Sequence, residues 1–382
     1  MIRDIGTGSP HPAGDGPEQR REGRAPAPSG SGASAPPTIE DVIGYEALWD
    51  SMEKCRKGVM WKGSVASFCL NAPVEIARLC DELHDGTYMP RRPKRFTVTY
   101  PKRREIVGIA FRDRVVQRSY NDVVIYPCMS RSWIYDNYAC QKGKGTDFAR
   151  DRMRAHLERH VRRHGPGFAL TVDIRGYYDH LLYEVMGERF YQKCPRWAAS
   201  FACRTIRDQY GGDGQGVNPG SQLVQIAGVD YLDHVDHMIK ERLRVRGYGR
   251  YMDGLVLIGD TDVQLGWWLH EIRRELSCVG LETHPTKTRI VPLSKGFRFL
   301  GFDYRVDAHC RVVMTLAPEN VKAMRRRVSR LWELERSGQR PQDVTEAAFM
   351  GWVAHAAKSD SEKVLETNVR WYRNLKGETC RS

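Results

Sequence analysis

Residues 168–174 read FALTVDI, and residues 249–258 read GRYMDGLVLI. Both segments are short apolar runs typical of buried strands, and each carries one aspartate at the edge of its run, Asp173 in the first and Asp253 in the second. A lone aspartate beside a strand is most often a turn former. Two carboxylates on adjacent strands can instead converge on two Mg²⁺ ions about 4 Å apart and serve phosphoryl transfer. We therefore expect Asp173 and Asp253 to meet at one sheet edge.

The segments around these two runs predict alternating helices and hairpins. Residues 39–86, 113–126 and 147–163 repeat apolar side chains at helical spacing, and residues 91–109 predict a β-hairpin with a basic tip at 101–104. Helical spacing resumes after Gly220 and over 263–279, a second hairpin spans 297–302, and 318–375 is helical and basic. This order predicts an α+β fold in which an antiparallel sheet packs on helices.

Composition narrows the classes of function. The 382 residues include 60 Lys and Arg against 47 Asp and Glu, and the net charge of +13 favours a polyanionic partner such as nucleic acid. Residues 1–38 are rich in Gly, Pro, Ser, Ala and Arg, so we expect a disordered tail. The chain shows neither a long apolar run nor a secretory start, which predicts no membrane association. The cysteines form no C-x-x-C pair, so we expect free thiols in a cytoplasmic protein.

Two histidine-rich segments are predicted to be solvated. His156, His160 and His164 repeat every four residues and could bind zinc on one helical face, but interleaved Arg and Glu favour a solvated basic face. His234 and His237, with the aspartates at 233 and 236, predict a polar helix face.

Seven short motifs, in this order, resemble the reverse transcriptases of bacteria and their phages over about residues 91–302. The motifs are PKRREI at 101–106, DRVVQ at 113–117, DIRGYYD at 173–179, GVNPGSQLVQ at 216–225, YMDG at 251–254, PTKT at 285–288 and GFRFLGF at 296–302. The resemblance implies a polymerase shaped like a right hand. Its fingers would span 39–165, its palm with an interleaved fingers segment 166–310, and its helical thumb 311–382.

The resemblance also implies a role for individual residues in catalysis. Asp173, Asp253 and the backbone carbonyl of Ile174 would hold two Mg²⁺ ions, with Mn²⁺ as an alternative. Lys287 would donate a proton to the leaving pyrophosphate. The alternative for Lys287 is an ordinary surface lysine.

Other residues are implied to bind the nucleotide and the template. Lys102 and Arg104 would neutralise the triphosphate, or form only a solvated hairpin tip. Tyr178 would lie beneath the incoming sugar and exclude a 2′-hydroxyl, or be a core tyrosine. Gly220 and Gln225 belong to the loop and helix that would grip the template. The implied partners are an RNA template, a DNA or RNA primer, deoxynucleoside triphosphates (dNTPs) and, in a retroelement, a small basic accessory protein.

Two positions depart from the family pattern. Gly254 stands where the family has the second aspartate of Tyr-x-Asp-Asp, and an Asp-Gly pair favours a tight turn. Asp260 cannot replace that carboxylate, because six residues of strand span about 20 Å. Loss of one electrostatic stabiliser would cost about 10²–10³ in rate. Pro219 stands where high-fidelity relatives have glutamine, which predicts relaxed template reading.

Three functions are therefore open. The first is an RNA-directed DNA polymerase (reverse transcriptase). Its preferred setting is a diversity-generating retroelement, and phage defence is the alternative setting. The second function is that of a nucleic-acid-binding protein that kept the palm but lost turnover with Gly254. The third, an RNA-copying RNA polymerase, is suggested by the acid pair Asp173 and Asp179, and Tyr178 argues against it.

Overall fold

The N-terminal part of the protein is helical and ends in a hairpin. The computed structural model describes residues 36–99, 103–211, 214–218 and 220–377, so most of the tail predicted at 1–38 lies outside the described residues. The first elements are helices α1 (Glu40–Ile43), α2 (Tyr45–Arg56), α3 (Gly63–Leu70) and α4 (Ala72–His84), followed by strands β1 (Lys94–Val98) and β2 (Arg104–Gly108). β1 and β2 pair antiparallel, which confirms the predicted hairpin, although residues 100–102 of its tip are not described.

The middle of the chain alternates helices with the strands of the main sheet. The helices α5 (Phe111–Tyr120), α6 (Tyr126–Met129) and α7 (Thr146–His164) precede strand β3 (Phe168–Asp173). Next come α8 (Tyr183–Lys193), α9 (Arg196–Tyr210), α10 (Gln222–Tyr231) and α11 (Asp233–His237). The segment ends with strands β4 (Gly247–Tyr251) and β5 (Gly254–Gly259), helix α12 (Asp262–Ser277) and strand β6 (Arg289–Pro292).

A second sheet and three helices form the C-terminal part. Strands β7 (Phe297–Phe299), β8 (Phe302–Val306) and β9 (Val312–Leu316) make a three-stranded antiparallel sheet. Helices α13 (Pro318–Arg336), α14 (Val344–Ala356) and α15 (Glu362–Lys376) follow. The thumb boundary predicted at 310 and 311 falls in the connection between β8 and β9, inside this sheet. Among the residues described, no helix is long and apolar enough to cross a bilayer.

The main sheet is antiparallel and buried on both faces. Its strand order is β4-β5-β3-β6, and Phe168 of β3 pairs with Gly259 of β5. Leu170 and Val172 pack into a large helical core, whereas Ala169 packs into a second core shared with α7 and the three-stranded sheet. Burial on both faces explains why β3 reads as a continuous apolar run rather than an alternating one. The mixed helices and antiparallel sheets confirm the α+β class.

One buried ion pair ties the main sheet to the helices behind it. The side chains of Arg250, on β4, and Asp236, on α11, are both fully buried, with Nη2 of Arg250 2.6 Å from Oδ2 of Asp236. The same guanidinium donates to the carbonyls of Val229 and Met252, each at 2.9 Å. A buried charge that loses its partner is costly, so this pair fixes β4 against α10 and α11.

The solvated basic face predicted on α7 is wrong for His156 and holds for His164, whose side chain is 48% exposed, and the polar face predicted on α11 is partly buried. His156 is buried and lies 3.2 Å from Asp136, and the aspartates Asp233 and Asp236 of α11 are also buried. Polar residues of these helices pair with residues on other segments. His156 of α7 pairs with Asp136, and Asp236 of α11 pairs with Arg250 of β4. Such partners leave no local signal in the sequence.

We expect Asp236→Asn to destabilise the protein by about 3–5 kcal/mol, because the Arg250 charge would stay buried without its counter-ion. Asp303→Asn is the matched control, since Asp303 pairs with Arg298 at the surface, where loss of a pair costs about 1 kcal/mol or less. Urea unfolding of both variants measures the difference. Equal losses of stability would contradict the role given to the buried pair.

Candidate active site

Asp173 and Asp253 lie next to each other at one edge of the main sheet. Asp173 is the last residue of β3 and pairs with Gly254, the first residue of β5, so Asp253 immediately precedes the paired position. Directly opposite residues in an antiparallel pair have Cα atoms about 4.5–5.5 Å apart. The charge of Asp173 acts on the Asp253 carboxyl, in agreement with this proximity. The structure thus brings together the two acids that the sequence singles out.

A two-residue turn positions Asp253. Tyr251 pairs with Gly254, so Met252 and Asp253 form the turn between β4 and β5. Met252 adopts a left-handed conformation with φ of +54°, which costs a residue with a side chain about 1–2 kcal/mol. The hydrogen bond that Arg250 donates to the Met252 carbonyl helps to hold this conformation.

Gly254 is not required by the backbone. It pairs as an ordinary strand residue outside the left-handed region, and a Cβ there would meet only the Tyr251 carbonyl oxygen, at 3.5 Å. The tight hairpin turn predicted at the Asp-Gly pair is present, with Met252 and Asp253 as its two turn residues and Gly254 as the first residue of β5. Paired residues of an antiparallel sheet share a face, so an aspartate at 254 would lie on the same face as Asp173.

The predicted lysine motif lies on Asp173. Nζ of Lys287 donates a hydrogen bond to Oδ2 of Asp173 at 2.8 Å. The backbone N–H of His284 donates to the Asp173 carbonyl at 2.6 Å, so the chain around the motif is fixed to the end of β3. The side chain of Lys287 is 61% exposed, and such a pair contributes little stability. Lys287 is therefore able to leave Asp173 when a ligand binds.

The carboxyl of Asp253 is harder to ionise than an ordinary aspartate. Burial raises its pKa, and the charge of Asp173 raises it further, against opposing effects of its own backbone N–H, Lys287 and Arg250. A bound cation would remove this penalty by supplying the missing positive charge.

Tyr178 lies between the acids and α10. Its ring packs on Gly228, where a Cβ would come within 3.1 Å of the ring. Its hydroxyl has no hydrogen-bond partner among the residues described. Burial, with smaller effects of Cys140 and Asp253, raises its pKa well above the ordinary value, so the phenol stays neutral. Tyr178 therefore contacts its neighbours among the described residues through its ring rather than through its hydroxyl.

Gly220 and Gln225 lie at the start of α10. A Cβ at Gly220 would come within 2.5 Å of the Val107 carbonyl, so the close approach of this loop to β2 requires glycine. Ser221 caps the helix, its hydroxyl accepting the N–H of Val224 at 3.1 Å. A cavity of about 360 Å³ opens here. Its lining residues include Lys54, Lys57, Arg114, Arg118, Gly220 and Gln225.

Three of the residues predicted from the sequence cannot be placed. Lys102 and Pro219 lie outside the described residues, and the side chain of Arg104, at the start of β2, is not described. Ile174 is buried and forms a β-bridge with Thr283. Metal ligation by its carbonyl remains a prediction.

A basic groove beside Asp173 was missed by the sequence reasoning. A cavity of about 760 Å³ is lined by Asp173, Gly254 and residues of β6, β7 and β8. Its cationic lining residues are Lys287, Arg289, Lys295, Arg298 and Arg305. The signal that could have found them is the basic residue flanking each short apolar run between 287 and 305. The groove gives a polyanion a path to the two acids.

The donor set limits how a metal could bind. Within the described part of the chain, no three His, Cys, Asp or Glu side chains are grouped to hold a metal ion. Two carboxylates alone match Mg²⁺, which typically binds through one or two carboxylates together with substrate phosphates. Asp173 and Asp253 therefore fit a cation that is completed by its substrate.

Comparisons with known proteins give only distant similarity. No protein-family model matches the sequence, and no curated protein is similar to it. The chain resembles the telomerase of Candida albicans in complex with a TWJ fragment of telomeric RNA, with a TM-score of 0.44 and 12% identity over 63% of this chain and 50% of that one. It also resembles the apo telomerase of Candida tropicalis truncated from its C-terminal domain, with a TM-score of 0.44 and 13% identity over 58% and 54% of the two chains. The chain thus spans about half the length of these structures.

We expect Asp253→Asn to raise the thermal unfolding midpoint at pH 7 in EDTA, because it removes a buried charge beside Asp173. Folding raises the pKa of the Asp253 carboxyl, so its ionised form destabilises the folded state. This destabilisation disappears as the pH falls and the carboxyl becomes protonated. The stability gap to the unaltered protein should therefore shrink from pH 7 toward pH 4. Asp179→Asn, at an exposed position, is the control, and a gap that is equal for both variants would contradict the argument.

Proposed function

We propose that the protein is an RNA-directed DNA polymerase that adds deoxynucleotides to a primer 3′-end. The observation that carries the proposal is the position of Asp173 and Asp253 at one sheet edge with Lys287 on Asp173. The order of the seven sequence motifs supports the same function.

The residues of the site would each act on a different part of the substrate. Asp173 and Asp253 would bind Mg²⁺, which when present activates a hydroxyl nucleophile and neutralises phosphate charge. Lys287 would leave Asp173 and protonate the departing pyrophosphate. The Tyr178 ring would pack beneath the sugar and exclude a 2′-hydroxyl.

The basic groove would hold the nucleic acid. Arg289, Lys295 and Arg298 line the cavity that begins at Asp173, and contacts to phosphates set register without reading sequence. The second basic cavity, beside Gly220 and Gln225, would hold the template strand. We propose RNA as this template, in a diversity-generating retroelement with a small basic accessory protein, or second in phage defence.

A second candidate function is nucleic-acid binding without turnover. It is favoured by the glycine at 254, which leaves two carboxylates at this edge of the sheet. In this case the basic cavities would still bind a polyanion. Catalysis alone would be absent.

We expect primer extension on poly(rA)/oligo(dT) by the unaltered protein, with Mg²⁺ or Mn²⁺, and a loss of about 10²–10³ in rate in Asp173→Asn, by analogy with removal of one electrostatic stabiliser. Gly254→Asp should raise the rate, because the position accepts a Cβ without crowding. Asp179→Asn is the control for a nearby exposed acid.

The outcomes of this assay separate the candidates. Extension that survives Asp173→Asn would refute the proposed site. Activity that appears only in Gly254→Asp would support the binding protein. Incorporation of ribonucleotides as readily as deoxynucleotides would favour an RNA polymerase.

We expect Tyr178→Ala to relax sugar selection, raising ribonucleotide incorporation relative to deoxynucleotide by about tenfold or more, since a lost steric clash of this kind is worth roughly 1–3 kcal/mol. Tyr178→Phe keeps the ring and removes a hydroxyl that has no partner among the described residues, so it should select as the unaltered protein does. Competition between dTTP and UTP on poly(rA) measures the ratio. Equal ratios in both variants would exclude Tyr178 from sugar selection.

A further inference from the structure

A separate cavity opens at the other end of the main sheet. Its volume is about 140 Å³, and it is lined by α7, residues 244–247, the end of β5 and the start of α12. Gly259 and Asp260 line it, whereas Gly254 at the opposite end of β5 lies beside the acids. Six strand residues separate the two sites by about 17 Å. The cavity is therefore not part of the candidate active site.

The charges around this cavity are strongly unbalanced. Four arginines line it, Arg159, Arg163, Arg244 and Arg246. Asp260 is the one carboxylate among its described lining residues, and it already lies 3.3 Å from Nδ1 of His164. No ion pair of the four arginines is found in the described residues. Arginines around one opening with so little counter-charge repel each other unless an anion is bound.

The backbone helps to keep this arrangement. Arg159 and Arg163 are four residues apart and so lie on one face of α7. Arg244 has φ of +53°, in the left-handed region. A side chain is seldom placed in that conformation. Arg244 and Arg246 therefore face the cavity from a second, constrained segment.

The interior of the cavity offers both a polar and an apolar surface. The side chain of His160 is only 10% exposed; its Nε2 lies 3.8 Å from Oδ1 of Asp260 and has no hydrogen-bond partner in the part of the chain described. Burial lowers the pKa of His160, and a neutral imidazole still donates one hydrogen bond. Val245, Ile258 and Trp268 supply buried apolar surface. The cavity thus combines four exposed arginines with a largely buried imidazole and buried apolar side chains.

We infer that this cavity binds a phosphate group, either a free phosphate or nucleotide or a phosphate of a nucleic-acid strand. Guanidinium groups match phosphate oxygens in a bidentate geometry, and several of them converge on one opening here. The inference does not depend on the proposed polymerase activity. It assigns a phosphate-binding position to the end of the main sheet opposite the two acids.

The test compares two adjacent arginines of α7. Arg163 lines the cavity, whereas Arg162 is exposed and does not line it. We expect inorganic phosphate to raise the thermal unfolding midpoint of the unaltered protein and of Arg162→Ala more than chloride does at equal ionic strength. In Arg163→Ala the dissociation constant derived from this shift should rise about tenfold, as for a lost hydrogen bond to a charged group.

Two outcomes would overturn the inference. One is a phosphate response equal to that of chloride in the unaltered protein, and the other is an equal phosphate response in Arg163→Ala and Arg162→Ala. Midpoints without phosphate and circular dichroism of both variants establish that each is folded.

Further arms of the same experiment identify the source of the phosphate. Adenosine monophosphate and a short single-stranded RNA are titrated against Arg162→Ala and Arg163→Ala. A selective loss of monophosphate binding in Arg163→Ala assigns the cavity to nucleotides, and a selective loss of RNA binding assigns it to a strand. A response to inorganic phosphate alone assigns it to free phosphate.

Discussion

The buried pair of Arg250 and Asp236 is the interaction on which the site depends. Arg250 reaches from β4 to α11 through Asp236, to α10 through the Val229 carbonyl and to the turn through the Met252 carbonyl. Two fully buried charges are stable only with each other, so the arrangement is all-or-none. Because the Met252 carbonyl belongs to the turn that carries Asp253, the same guanidinium that fixes β4 also fixes the position of one of the two acids. The chemistry of the site is therefore supported by a contact that no ligand touches.

The second constraint is the register of the antiparallel sheet. Asp173 reaches the edge because it ends β3, and Asp253 reaches it because the turn places it before Gly254. In a sheet buried on both faces, the alternation of side chains leaves no alternative register without exposing apolar residues or burying charge. Burial raises the pKa of the Asp253 carboxyl and the charge of Asp173 raises it further, while the strand pairing keeps the two acids side by side.

The sequence predicted the parts of this structure that leave local patterns. The apolar runs around Asp173 and Asp253 identify two strands and their acids, and the alternating residues between 91 and 109 identify the hairpin of β1 and β2. The sequence did not predict the contacts of side chains whose partner is distant in the chain. Nothing near His156 reveals that Asp136 will bury it, and nothing near Asp236 reveals Arg250. The Asp-Gly pair predicted the tight turn between β4 and β5, but only the pairing of Tyr251 with Gly254 shows that Met252 and Asp253 are its turn residues.

The pairing of β3 with β5 has a consequence for biosynthesis. The chain between Asp173 and Gly259 must be made before β3 acquires its full partner, which takes on the order of 4–17 s at roughly 5–20 residues per second on a ribosome. During that interval an apolar strand with both edges unpaired is exposed, a form that readily joins other chains. We therefore expect the nascent protein to need chaperones while the central sheet is incomplete. Its yield should improve when translation is slowed or the temperature is lowered, because both favour assembly over aggregation.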